Sequence, residues 1–114
     1  MRSFVAVAMT ICTASVGAQE VLITPSYAVT IIGCGEGVIA CDDAKYIGVS
    51  RKTGATLQLK GSTQHTKTPD GTPNRFLGYE FRSGKTVYTV SMEGLLVVKQ
   101  GGKTLVSEQG KWAD

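Results

Sequence analysis

Histidine and tryptophan occur once each in this chain, and cysteine and proline three times each. Each scarcity removes a class of protein. With a single histidine, any metal set or base-assisted nucleophile would have to depend on His65 alone. Twelve Lys and Arg against nine Asp and Glu leave a net charge of +3, too small an excess to demand nucleic acid or an anionic membrane as partner. No apolar run reaches the ~20 residues of a spanning helix. No segment from residue 42 to 114 keeps a 3.6-residue apolar period, so helix is not expected there. A chain of 114 residues is too short for a multi-domain enzyme, and its 42% apolar share is too high for a disordered one.

The N-terminus, MRSFVAVAMTICTASVGA, has Arg2, an apolar stretch from Phe4 to about Ile11, and small residues at its end. This pattern predicts a signal peptide over residues 1–18, cleaved before Gln19. Residues 19–114 then form one domain. Cleavage removes Arg2 and Cys12, so the mature chain carries a net +2 and two cysteines. An even cysteine count in an exported chain suits an oxidising compartment, so the expected location is secreted or periplasmic. Cys34 and Cys41 enclose six residues. The gap is wider than a thioredoxin-type motif, and a structural disulfide is the expectation.

Glycine is what the chain has in quantity: fourteen residues. Several of them separate short runs of Thr, Val, Tyr and Leu in period-2 alternation, the pattern of half-buried strands joined by tight turns. Residues 46–50 and 55–60 flank the turn Arg51-Lys52-Thr53-Gly54. Residues 75–82 and 86–90 flank Ser83-Gly84-Lys85, and residues 95–100 and 103–107 flank Gly101-Gly102. With further strands between 19 and 40, the chain reads as all-β: a small antiparallel meander of six to eight strands, closed or curled into a barrel. Alternation places Leu77, Tyr79 and Phe81 on one face, and Phe76, Glu80 and Arg82 on the other. Val87 and Tyr88 fall on opposite faces of their strand, with the inner one undecided. The polar stretch from Gly61 to Asn74, with Pro69 and Pro73, reads as a long loop.

Gly84-Lys85-Thr86 and Gly102-Lys103-Thr104 imitate the end of a phosphate-binding loop. The glycine that motif requires five positions earlier is Tyr79 in one case and Val97 in the other, so both are hairpin chemistry. Ser62, His65 and Asp70 contain the residue types of a catalytic triad, but no strained nucleophile turn accompanies them. Asp42-Asp43 lacks the further ligands of a Ca²⁺ loop and reads as a strand-start signal. Charge carries more information. Between Ala44 and Pro69 stand Lys45, Arg51, Lys52, Lys60 and Lys67 without one acid, and hairpin tips add Lys85 and Lys103.

The function expected from these features is a non-catalytic protein-binding or inhibitory module acting on another exported protein, for example an envelope or cell-wall hydrolase. Arg51, Lys52, His65, Lys67, Ser83 and Lys85 are its candidate contact residues. A structural or accessory subunit of a cell-envelope complex is the alternative, and a small hydrolase the last choice. No catalytic residue, metal or other cofactor, or nucleic-acid partner is expected. The mature chain is expected to be monomeric and to lack a membrane span.

Overall fold

The computed structural model describes residues 19–34 and 40–113. The expected signal peptide lies outside the described residues. The strands are β1 (Gln19–Ile23), β2 (Tyr27–Ile32), β3 (Ala44–Ser50), β4 (Thr56–Lys67), β5 (Pro73–Ser83), β6 (Thr86–Ser91), β7 (Leu95–Gln100), β8 (Lys103–Gln109) and β9 (Lys111–Trp112). They form one antiparallel sheet in the order β8-β7-β6-β5-β4-β3-β2-β1-β9. The fold is therefore the expected antiparallel meander, with nine strands against the six to eight expected, β9 being two residues long and following β8 across Gly110. Among the described residues, no helix is long and apolar enough to cross a membrane.

β8 pairs with β7 as far as Gln109, and beyond one intervening residue, Gly110, β9 pairs with β1 through Leu22↔Trp112 and Ile23↔Lys111. The last strand thus has β7 on one side and β1 on the other at staggered heights, which nearly closes the sheet into a barrel. Gly110 is the joint. A Cβ there would stand 2.6 Å from the Ile23 carbonyl oxygen, so the strands meet only because no side chain intervenes. Beside this short ladder the Glu108 carboxylate spans the seam. It accepts the Ser26 N–H at 3.0 Å and the Ser26 hydroxyl at 2.7 Å. Those bonds hold the Glu108 carboxyl below its usual range, the Ser26 hydroxyl contributing most.

The inner face carries Leu22, Val29, Ile31, Ala44, Tyr46, Phe81, Val90, Leu96 and Val98, all buried. Tyr88 resolves to the inside, its ring 5.5 Å from that of Tyr46, and Tyr46 stands 5.2 Å from Phe81. Cys34 and Cys41 are disulfide-bonded, with Cα atoms 5.9 Å apart. Asp42 and Asp43 immediately precede β3. The Gly101-Gly102 turn has φ of 56° and 84°, the positive pair that a two-residue hairpin with the sheet's own twist requires.

Two expectations are corrected. The stretch from Gly61 to Asn74 is strand over most of its length, and the connection between β4 and β5 spans only residues 68–72. Its Thr residues favour extended backbone. It carries a loop-like polar sequence because this part of β4 and β5 extends past the last β3 and β6 partners, Ala44↔Gly61 and Gly78↔Ser91, and so buries little apolar surface. The face assignment of Leu77 also fails. Gln64 pairs with Gly78 and His65 with Phe76, leaving Leu77 as the extra residue of a bulge, 44% exposed. One extra residue reverses the alternation. Phe76 then turns inward, its ring 5.3 Å from that of Tyr79.

Candidate binding site

In an up-and-down barrel successive connections alternate between the two ends. One end gathers the connections β1–β2, β3–β4, β5–β6 and β7–β8. This is the open end. The other gathers the disulfide segment between β2 and β3, the 68–72 turn and the 92–94 turn.

At the open end the wall parts in two places. The β4–β5 ladder begins at Gly61↔Phe81, so Thr56–Lys60 pair with β3 alone. On the far side, β8 meets β1 only through its continuation β9. Between the separated leaves lies a cavity of about 430 Å³. Its walls are Leu57 from β4, Leu96 and Val98 from β7, Leu105 and Val106 from β8, and the rings of Tyr27, Tyr46 and Tyr88. Gly48 lines it without a side chain, which leaves room for the Tyr46 ring leaning over it. Leu105 is a bulge residue, since Val98 pairs with Val106 and Lys99 with Thr104. Leu57 and Leu105 stand at 37% and 48% exposure, apolar lips at the cavity mouth. Burial pushes the Tyr46 phenol up, and the neighbouring Tyr88 and Tyr27 add to it. The hydroxyl therefore stays protonated across the physiological range. No carboxylate, imidazole or thiol lines the cavity among the described residues.

The rim is cationic. Arg51 and Lys52 lie in the β3–β4 turn, Lys85 in the β5–β6 turn, and Lys103 starts β8 after the β7–β8 turn. None of the four connections at this end contains an acid. The described residues of the opposite connections hold Asp42, Asp43, Asp70 and Glu93 and no Lys or Arg. The charge of the turns is thus segregated along the barrel axis, although the strands place Lys45, Lys67 and Arg75 near the acidic end and Glu108 beside Ser26 at the open one. The one ion pair among the described residues, Arg82 with Glu80 at 3.0 Å, leaves the rim cations unpaired. Arg51 nevertheless has an architectural tie: its guanidinium donates to the Thr24 carbonyl at 2.7 Å, and its backbone N–H donates to Ser26.

The six candidate contact residues do not form one group. Arg51, Lys52, Ser83 and Lys85 share the open end, whereas His65 and Lys67 sit on the extended part of β4 towards the other end. There the His65 ring lies tilted against Phe76 at 5.4 Å, beside a polar depression of about 400 Å³ that also touches Cys41, Asp42 and Thr63. Thr63 anchors this region, its hydroxyl accepting the Cys41 N–H at 2.8 Å. Among the described residues no hydrogen bond joins Ser62, His65 and Asp70. Ser62 accepts from Gln64 at 3.1 Å, and the Asp70 carboxylate accepts from the Thr68 hydroxyl and the Thr72 N–H. Those bonds hold the Asp70 carboxyl down to about 2, Thr68 contributing most. No group of three or more His, Cys, Asp and Glu is placed to hold a metal among the described residues.

Sequence reasoning missed the cavity and the axial separation of charge. The separation was within reach: numbering the turns in a meander and sorting them into odd and even puts Lys52, Lys85 and Lys103 together. The cavity was not, because the parting of β4 from β5 leaves no local mark. Comparison of the chain with known family models, curated proteins and solved structures found no match, so function rests on this geometry.

Proposed function

We propose that this protein is a non-catalytic exported binding module that docks through its open end on an acidic face of another exported protein, in the manner of an inhibitor of an envelope or cell-wall hydrolase. The observation that carries this reading is the segregation of charge: unpaired cations on the turns at one end, acids on the turns at the other. Such an arrangement orients an approaching acidic partner and speeds encounter even when net charge is small. The Cys34–Cys41 disulfide is compatible with an oxidising compartment outside the cytoplasm. A cavity lined by hydroxyls and hydrocarbon, without a titrating acid or base, supports binding over catalysis.

The test is capture from an envelope extract by the mature protein and by a Lys52→Glu/Lys85→Glu/Lys103→Glu variant. The wild-type protein should enrich one dominant protein, released as salt rises, and the reversed variant should not. Equal recovery by both, or none above background at low salt, would refute the proposal.

A further inference from the structure

We propose that the cavity at the open end is a binding site for a small amphipathic anion, an apolar body such as a medium-length alkyl chain carrying one carboxylate or sulfonate. This goes beyond the protein-docking reading and does not require it. The volume of about 430 Å³ falls within the range of small-molecule pockets, roughly 300–1,000 Å³. A single side chain inserted by a protein partner would leave much of that space empty, against the close packing of natural interfaces. The depth of the site is aliphatic and aromatic, from Leu96, Val98, Val106 and the Tyr46 ring.

Polarity changes at the mouth. Leu57 and Leu105 form half-exposed lips, and outside them the turns bring Lys52, Lys85 and Lys103, while the Glu108 carboxylate that reaches this end is taken up by Ser26. An apolar tail buried below and one negative charge at the rim satisfy both zones. A neutral apolar molecule would use only the first, and a small inorganic anion only the second. The few polar atoms in the wall, the hydroxyls of Ser50, Thr56 and Thr86, can orient a head group as it enters.

The test uses the mature protein and anilinonaphthalene sulfonate, an apolar fluorescent anion, with decanoate and decanol as competitors. Fluorescence should rise saturably, and decanoate should displace the probe. Decanol should compete about tenfold less well, the loss of one charge–charge contact in a partly dry site. Raising salt from about 50 to about 500 mM should weaken the anions several-fold and leave decanol unchanged. Val106→Trp, which fills the cavity, and Leu105→Glu, which places a like charge at an exposed lip and so spares the fold, should each weaken the probe about tenfold or more.

Absence of saturable binding would overturn the proposal, as would equal competition by decanol and decanoate. Wild-type affinity in both variants would place the probe elsewhere and overturn it too. Displacement of the probe by a captured protein but not by decanoate would assign the cavity to that protein's side chain instead. Decanoate binding without protein capture would leave this inference standing and end the docking proposal.

Discussion

The two ends of the barrel differ in construction. At the end that carries the acids, a disulfide bridges the β2–β3 segment and Thr63 ties that segment to β4. Rings run in contact from His65 through Phe76 and Tyr79 to Phe81. At the open end the strands part, leucines stand half-exposed, and the turns carry unpaired cations. The disulfide and the ring cluster brace the acidic end, whereas the open end holds the apolar cavity. Exposed apolar side chains occur at both ends, with Leu77, Met92 and Leu95 towards the acidic one, but at the open end Leu57 and Leu105 border a cavity with cationic turns around it.

Substitutions should therefore separate stability from recognition according to the end they touch. Phe81→Ala strikes the ring cluster shared by both leaves and should cost about 3–5 kcal/mol, read by urea denaturation at pH 7. Removing the bridge with Cys34→Ser/Cys41→Ser should cost about 2 kcal/mol while leaving partner capture unchanged. Lost capture in a folded variant would move the recognition site to that end.

Glu108→Gln breaks the charge-assisted clamp on Ser26 at the seam and should cost about 1 kcal/mol. Because the folded carboxyl is held below its unfolded value, the wild-type advantage is full above about pH 4.3. It disappears as pH falls through the lower folded value. Denaturation of both proteins at neutral and acid pH checks the sign: a gap that widens in acid contradicts the clamp.

Asp70 follows the same sign. The ordering of its turn persists as pH falls through the usual carboxylate range and is lost only near the folded value of about 2. Amide exchange over residues 68–72 should respond, with Asp70→Asn as the comparison. Smallest in stability and largest in recognition is Lys85→Glu/Lys103→Glu. It should move the unfolding free energy by less than about 0.5 kcal/mol and slow association with the captured partner at low salt.

Much of the fold was legible from local chemistry. Gly54, Gly84 and the Gly101-Gly102 pair marked the hairpin turns, and period-2 alternation placed Val90, Leu96 and Val98 in the strands that now bury them. The failures have a common physical origin. The bulge at Leu77 and the partner-free length of β4 depend on which strands lie alongside, which no local pattern records. The candidate site was half legible: Arg51, Lys52, Ser83 and Lys85 belong to one end, but His65 and Lys67 lie on paired strand towards the other, which the loop-like composition of residues 61–74 conceals. Arg51 is also tied to Thr24, a contact across 27 residues of sequence invisible to any motif.

On the proposed function, recognition belongs to the open, cationic end. Amide chemical-shift mapping of the mature protein with its captured partner tests it directly. Shifts should gather at residues 50–56, 83–87 and 100–106, and the β4–β5 extension should stay silent. Shifts concentrated at residues 63–76, with the three turns unmoved, would contradict it.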